Sequence, residues 1–436
     1  MAAIDEYYHA HEVRLDKCDG RMRCLRSCPT DAIRVKNGKA SFISELCVDC
    51  GECITACPHG AFVPLADTLE GTPRKGKLRV AVPSPVLYSQ FPSEASPRRI
   101  LAALKQIGFD YVFDVAKACD WATLATRIYL REHTGRWPVI SSFCPAVVRL
   151  IQVKYPELTE NILPLQVPRE ITAREAKRKL AIEKGMEESD VEAVYITPCP
   201  AKVVSIRQPA ERGRSALDTA IAISEIYLAL REAMSEPECE IKDELFEDIT
   251  YGSGWSSLGG IAGQLETDRW IAVSGMGDVT KLLDDIETSK LRNVEFIEAA
   301  ACQGGCIGGS LAVENVYVAR SRTIRLAQKY GHNIARHENR AERLFRAGFF
   351  NIESPIAPRP LSPLDADIAK AIAKVKERDA IYESLPKIDC GACGSPNCMA
   401  FAEDVVKEEA EISMCVVGAS AERRPSDGRT DRPSGP

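Results

Sequence analysis

The stretch Glu298-Ala-Ala-Ala-Cys302-Gln-Gly-Gly-Cys306-Ile-Gly-Gly309 sets two cysteines four apart, split by one glycine pair and followed by another. The preceding Asn293-Val-Glu-Phe-Ile297 alternates as a strand does, so Cys302 falls where a strand runs out into a loop. Glycines there let the backbone approach a bulky group, and thiolates bind soft metals. A turn carrying two buried free cysteines is the plainer alternative. The rest of the chain weighs against it, because it keeps supplying thiols in similar settings.

At 436 residues the chain has room for two to four domains and a large core. A net charge of −6 with no basic face argues against nucleic acid as a partner. No apolar run approaches the roughly 18 residues that span a bilayer. The start, Met1-Ala-Ala-Ile-Asp-Glu-Tyr-Tyr8, lacks the basic and apolar regions of a signal peptide. Of 17 cysteines, all but Cys119 and Cys239 fall in grouped spacings beside glycine or proline, a pattern of metal ligation rather than disulfides. A reducing, cytoplasmic setting is expected.

The N-terminal module holds Cys18…Cys24-Leu-Arg-Ser-Cys28-Pro29 and then Cys47-Val-Asp-Cys50-Gly-Glu-Cys53-Ile-Thr-Ala-Cys57-Pro58. The second run has the bacterial ferredoxin spacing, in which the fourth cysteine of each run crosses to the other cluster. Cys28, Cys47, Cys50 and Cys53 are therefore expected to hold one 4Fe–4S cluster. Cys18, Cys24 and Cys57 are expected to hold another, and its remaining ligand position is Arg21, a cation that cannot coordinate iron. That cluster is then three-iron, or draws a ligand from Asp19, water or a nearby side chain. Zinc is the other reading of such thiols, and two interlocked runs with prolines disfavour it. Residues 32–43 read as two short strands around Asn37-Gly38. The segment resembles a dicluster ferredoxin domain, expected over residues 5–66.

After a polar linker at 66–77, strands and helices alternate. Leu78–Val82, Tyr111–Val115, Pro138–Ile140 and Val191–Ile196 read as strands, and Ile100–Ile107 and Ala173–Lys184 as helices. The pattern predicts an α/β domain with a largely parallel sheet, spanning 78–354. Three loops at strand ends carry the chemistry: Ser141-Ser-Phe-Cys144-Pro145, Thr197-Pro-Cys199-Pro-Ala-Lys202, and the opening stretch.

In order and content these three loops resemble the signature motifs of the iron-only (FeFe) hydrogenases. The resemblance implies that Cys144, Cys199, Cys302 and Cys306 bind the 4Fe–4S part of the active-site cluster. It implies that Cys306 also bridges to a two-iron subsite carrying carbonyl, cyanide and a dithiolate. Lys202 matches the lysine that donates to a cyanide, a charge-assisted bond suited to an anionic ligand. Ser84, after Pro83, matches a cyanide contact from another loop. Glu298 stands at a position that is acidic in the family, and an ordinary hydrogen-bonding role is equally open to it. Gly252–Gly260 lacks the Lys-Ser/Thr ending of a phosphate loop and reads as a turn near the cofactor pocket.

Departures from the family matter as much. Its efficient catalysts carry two adjacent cysteines in the first motif, the first of which moves protons; here that position is Phe143. Two methionines near the subsite are replaced by Thr197 and Ala300. The paired glutamates that continue the proton path would fall in Cys119–Thr126, which contains no glutamate. A relay needs a group of suitable pKa at each hop, so fast hydrogen evolution is disfavoured.

A proline-rich stretch at 355–363 precedes an expected helix, 365–380, with apolar residues at Ile368, Ile372, Val375 and, just beyond, Ile381. Then come Cys390-Gly-Ala-Cys393-Gly-Ser-Pro-Asn-Cys398 and Cys415. Phe401, Val405 and Ile412 are expected to line one helix face that returns Cys415 to the other three. Four thiolates in one set bind zinc or a cubic cluster. The form resembles a small 4Fe–4S domain of electron-transfer subunits and of hydrogen-sensing hydrogenases, expected over 364–418. Residues 419–436 are expected to be a disordered tail.

The sequence thus predicts an α/β FeFe-hydrogenase-like domain flanked by an α+β ferredoxin domain and a small C-terminal iron–sulfur domain. The resemblance implies slow dihydrogen oxidation or sensing, with electrons relayed to a redox partner or a separate signalling protein. Maturation proteins are implied if the two-iron subsite is present. The alternative is an iron–sulfur electron-transfer or assembly-type protein that lacks this subsite.

Overall fold

The computed structural model describes residues 7–71, 77–236, 251–330, 334–359 and 361–421. Cys239 and most of the expected tail, 422–436, lie outside the described residues; residues 419–421 complete a short helix, Val416–Ala421. The chain forms two compact units. The first comprises Met1–Glu12, Val48–Thr55 and Phe62–Pro360, the second Val13–Cys47, Ala56–Ala61 and Leu361–Pro436.

Four short strands lie in the N-terminal region: β1 (His11–Val13), β2 (Ile33–Lys36), β3 (Lys39–Phe42) and β4 (Phe62–Pro64). The first unit is built on seven more: β5 (Leu78–Pro83), β6 (Tyr111–Val112), β7 (Val139–Ile140), β8 (Val191–Thr197), β9 (Thr219–Ala222), β10 (Trp270–Ser274) and β11 (Phe296–Ala300). They form two parallel sheets, not one, in the orders β6-β5-β8-β9 and β10-β11-β7.

Alternation along the larger sheet feeds two cores. Ala81, Val194, Ile196 and Ile221 face Leu101 and Leu104 of the helix Pro97–Gln106 and Ile226 and Leu230 of Ile223–Ser235. Val80, Val82, Ala193 and Tyr195 face the other way, onto Ala173, Ala176 and Leu180 of the helix Pro168–Lys184. A parallel strand buried on both faces reads as a continuous apolar run, which is why β5 and β8 were legible. Arg79 interrupts the run, and Glu192 in register on β8 receives its Nε at 2.9 Å.

Some boundaries differ from expectation. The strand of the opening stretch begins at Phe296 and runs to Ala300, so Glu298 is a strand residue. Tyr111–Val115 is divided: β6 ends at Val112, and Asp114 caps a long helix, Val115–Glu132, by accepting from Ala116 N. The first part of the expected linker is anchored, since Asp67 takes Arg207 Nη2 at 2.6 Å and Ala220 N at 2.9 Å.

In the second unit β2 and β3 form a hairpin about Asn37 and Gly38, both at positive φ as a two-residue hairpin turn requires. The C-terminal cysteine segment packs on this hairpin. Val35 N donates to Gly394 O at 2.8 Å, and a Cβ at Gly394 would collide with Val35 O. Beneath lies a buried ion pair, Arg34 Nε to Asp404 Oδ2 at 2.6 Å, with Ser395 Oγ donating to the same oxygen. Asp404→Ala leaves the guanidinium buried without its counter-ion, held only by the carbonyls of Asp31 and Ile33, with an expected loss of about 3–5 kcal/mol. Urea denaturation checks this. An Arg34→Met, Asp404→Leu double variant should recover much of the loss.

The helix expected at 365–380 spans Ile368–Ser384, capped by Asp367. Its apolar residues are largely exposed: Ile368 by 79% and Ile372 by 54%. Phe401 and Val405 pack with Cys393, Cys398 and Cys415, but Ile412 does not belong to that helix, which ends at Val406. Ile412 opens a separate short turn and is 52% exposed.

Candidate metal centre

The four central cysteines come from the carboxyl ends of parallel strands, where open α/β sheets place their ligands. Cys144 follows β7 and Cys199 follows β8. Each is the extended residue capping a helix whose first residue is proline: Pro145–Lys154 and Pro200–Arg207. Proline costs nothing at a helix start, where its missing N–H would be unpaired anyway, and the positive helix end favours a thiolate. Cys302 follows β11, and Cys306 opens a short 3-10 turn.

Two glycines of the opening stretch are needed for close approach. A Cβ on Gly305, which sits at φ +98°, would meet Leu258 N at 2.8 Å. One on Gly309 would collide with Pro198 O, so the third loop lies directly on the second.

The thiols lie within one another's electrostatic reach. Burial pushes Cys302 well above the ordinary thiol range, and Cys199, Cys144 and Cys306 add to the shift. Burial and Cys306 likewise raise Cys144, whose Sγ accepts from Ala301 N at 3.5 Å. Four sulfurs brought together, two of them buried and two half-buried, form a donor set that fits a cubic iron–sulfur cluster.

Lys202, only 6% exposed, donates from Nζ to Cys306 Sγ at 3.0 Å. Burial opposes its charge, but Cys306 and Cys199 outweigh burial and hold its pKa well above the usual lysine value. Cys306 and Lys202 border a small cavity of about 40 Å³ also lined by Ser84, Phe143, Arg169, Tyr195, Trp255 and Ser256. Ser84 is buried in that wall, its Oγ accepting from Val86 N at 3.4 Å. A cavity that meets Cys306 outside the four-thiol set, with the Lys202 cation on its wall, is where a further metal subsite would lie.

Phe143 presents its ring to this cavity, edge-on to Trp255 with centroids 6.4 Å apart. Thr197 is occupied in shaping its own loop: its Oγ1 donates to Cys199 O at 3.1 Å and accepts from Cys199 N at 3.3 Å. On the helix Val115–Glu132, Thr123 and Thr126 donate to the carbonyls of Cys119 and Ala122, four residues back.

Cys119, set aside in the sequence, lines the cavity one helical turn after Val115. Arg169 was likewise missed, whereas Trp255 lies in the Gly252–Gly260 turn expected near the pocket. The i, i+4 spacing of Val115 and Cys119 was the signal available for Cys119, and Arg169 had none.

Glu298 anchors the Gly252–Gly260 loop and the residues after it. Its carboxylate accepts from Gly259 N (2.9 Å), Ile261 N (3.1 Å) and Ala262 N (2.8 Å). Burial nevertheless pushes its pKa up to about 7, the three N–H groups pulling the other way. With the folded pKa above the unfolded one, protonation favours folding. The contribution is complete below the unfolded pKa and is lost as pH rises through about 7. Stability should fall by about 2 kcal/mol between about pH 5.5 and 8, and Glu298→Gln should flatten the profile, as denaturation midpoints would show.

In the ferredoxin segment, Cys18, Cys24, Cys28, Cys47 and Cys57 belong to the second unit, Cys50 and Cys53 to the first. Burial pushes the Cys24 thiol up to about 11, with Cys57 and Cys18 adding to it. Backbone N–H groups are aimed at three sulfurs: Ala32 at Cys28 (3.3 Å), Ala40 at Cys18 (3.3 Å) and Ala61 at Cys57 (3.2 Å). Such donors favour thiolates and suit cluster ligands. Arg21, where a ligand was missing, is exposed and donates to Asp19 Oδ2 at 2.6 Å; His59 Nε2 lies 3.1 Å from the same oxygen.

Between Cys47 and Cys50, Asp49 takes the left-handed conformation. Ala10 N donates to its carboxylate, and His9, His11 and Arg149 surround it. Burial opposes its charge, but the hydrogen bonds of His11 and His9 outweigh burial and hold the carboxyl well below the usual range. Next to it, a Cβ on Gly51 would lie 3.3 Å from Pro200 Cγ, so the Cys50 loop touches the Cys199 loop.

At the C-terminus, Cys393, Cys398 and Cys415 pack around Phe401 and Leu385. Burial raises the Cys393 thiol, and Cys415 and Cys390 lie close enough to raise it further. The sixteen described cysteines are all free.

The profile of the iron only hydrogenase large subunit, C-terminal domain, matches residues 77–310. A 4Fe-4S dicluster domain matches 17–61, and an Fe-S cluster domain matches 385–417. Among curated proteins, the NADP-reducing hydrogenase subunit HndD of Solidesulfovibrio fructosivorans is 22% identical over 68% of this chain and 63% of its own length. Iron hydrogenase 1 of Clostridium pasteurianum is 24% identical over 48% of this chain and 44% of its own. Human nuclear prelamin A recognition factor is 23% identical over 49% and 58%. The chain thus spans roughly half the length of these relatives. A solved structure of HydA1 from Chlamydomonas reinhardtii covers 65% of this chain and 92% of its own, at 17% identity and a TM-score of 0.48.

Proposed function

This chain belongs to the iron-only hydrogenase large-subunit family, and from that premise we propose that it is a slow, sensory-type dihydrogen oxidoreductase. The observation that carries the reading is the buried Lys202–Cys306 contact at 3.0 Å, on the wall of a cavity beside the four thiols. In this reading Cys144, Cys199, Cys302 and Cys306 hold a 4Fe–4S cluster. Cys306 would also hold a two-iron subsite, and Lys202 and Ser84 would donate to its cyanide ligands. When bound, these groups would supply reversible dihydrogen cleavage and one-electron transfer. The protein's part is to exclude water, to fix the anionic ligands and to govern the proton's exit.

That exit is narrow. Phe143 holds no titratable proton, and the hydroxyls of Thr123 and Thr126 are bonded to their own helix. The redox side is better provided. Cys50 and Cys199 stand on touching loops, which supports an electron route from the central site to the ferredoxin clusters. The three modules 5–66, 78–354 and 364–418, with cluster ligands as read from the sequence, make up the proposed path to a redox partner or a signalling protein. Among the described residues no helix is long and apolar enough to cross a membrane.

Infrared spectroscopy of protein co-expressed with the hydrogenase maturation machinery tests the reading. Carbonyl and cyanide bands are expected. Their absence, with a control hydrogenase matured in parallel, sinks it. The second reading, an iron–sulfur electron-transfer or assembly-type protein with the cubic cluster alone, draws on Phe143 and on Thr197, whose side chain is committed to its loop. It would then be preferred.

A further inference from the structure

Arg169 is the second residue of the helix Pro168–Lys184. Its side chain is 95% buried, being 5% exposed, and lines the same cavity as Lys202 and Cys306. One terminal nitrogen, Nη2, donates to Ser205 Oγ at 3.0 Å, and Ser205 donates in turn to Lys202 O at 2.9 Å. The guanidinium is thereby held against the helix that carries Lys202. Its Nε is buried and has no partner among the described residues.

No carboxylate among the described residues pairs with this cation. The adjacent Glu170 is committed elsewhere, to Ser215 Oγ at 2.7 Å, Ala216 N at 2.9 Å and Arg212 Nη1 at 3.5 Å. A buried guanidinium with no counter-ion among the described residues and one free donor is costly, because the hydration lost at Nε is not replaced. Lys202 has the Cys306 sulfur to balance it; among the described residues Arg169 has no anionic counterpart. The positive end of its own helix, with Val167 and Pro168 in the same wall, adds to the local potential. Two buried cations on one cavity, one of them unpaired, describe a site for an anion with exposed lone pairs.

We propose that Arg169 is a second anion-binding residue of the cavity, donating to an anionic ligand of the two-iron subsite and clamping it together with Lys202. The inference rests on the subsite reading above and deepens it. Guanidinium suits the task because it stays charged at any working pH and offers a planar set of donors. The chain would thus hold its subsite by charge as well as through Cys306.

The test uses full-length protein carrying its iron–sulfur clusters but produced without maturation enzymes. It is titrated with a synthetic two-iron carbonyl/cyanide dithiolate complex. Wild type is compared with Arg169→Lys, Arg169→Gln and Arg169→Met, reading cyanide band positions and the concentration for half-loading. Arg169→Gln and Arg169→Met are expected to load about tenfold or more weakly and to shift the cyanide bands. Arg169→Lys should recover most of the affinity. Visible absorbance of the cubic clusters and the thermal midpoint report on folding. If one neutral variant fails to fold, the other against Arg169→Lys still decides.

Equal loading with unmoved cyanide bands in a folded neutral variant overturns the role of Arg169 and leaves the subsite reading standing. Failure of wild type itself to load overturns both.

Discussion

Phe143→Cys is expected to raise dihydrogen turnover about tenfold to a hundredfold in protein that carries the two-iron subsite. The ring occupies the cavity wall next to Cys144 and is 8% exposed. A thiol there introduces a titratable group and frees volume for water. The gain stays at the lower end of general acid–base effects because the next hop is still poor: residues 119–126 hold Cys119 and Asp120 but no glutamate. The exchange also removes a buried ring and should cost about 2–4 kcal/mol of stability, which denaturation would register. Turnover is measured per two-iron subsite, counted from the infrared bands. An unchanged rate at equal occupancy would place the block farther along the helix Val115–Glu132.

Lys202→Met is expected to lower subsite retention about thirtyfold or more, the weight of a buried charge-assisted hydrogen bond. The methionine fills similar space, so packing is largely kept while the cation 3.0 Å from Cys306 Sγ is lost. Carbonyl and cyanide bands should nearly vanish after gel filtration, while the visible absorbance of the cubic clusters persists. Full bands in this variant would remove Lys202 from the site. Parallel loss of the visible absorbance would mean that the lysine supports the thiolate set as a whole.

These two residues differ from others of the cavity in how openly the sequence displays them. Lys202 stands in Thr197-Pro-Cys199-Pro-Ala-Lys202, at a fixed distance from a cysteine that caps the same helix. Its approach to the site follows from local geometry. Phe143 is likewise set by its neighbour Cys144. Arg169 and Cys119 carry no such mark. One follows an ordinary Val-Pro, the other sits mid-helix, and both reach the cavity only through packing of the helices at 168–184 and 115–132.

The same division runs through the fold. The sequence by itself determined the parallel α/β character, because β5 and β8 are buried on both faces and read as apolar runs. It also determined the cysteine groups, because metal ligation demands short spacings and small or rigid neighbours. Only the tertiary structure decided that the strands form two sheets and that Glu298 ties down the loop at Gly259. Only it decided that the C-terminal cysteines dock on the β2–β3 hairpin through Arg34 and Asp404. Those features rest on contacts between residues far apart in the chain, where no local periodicity or spacing carries the information.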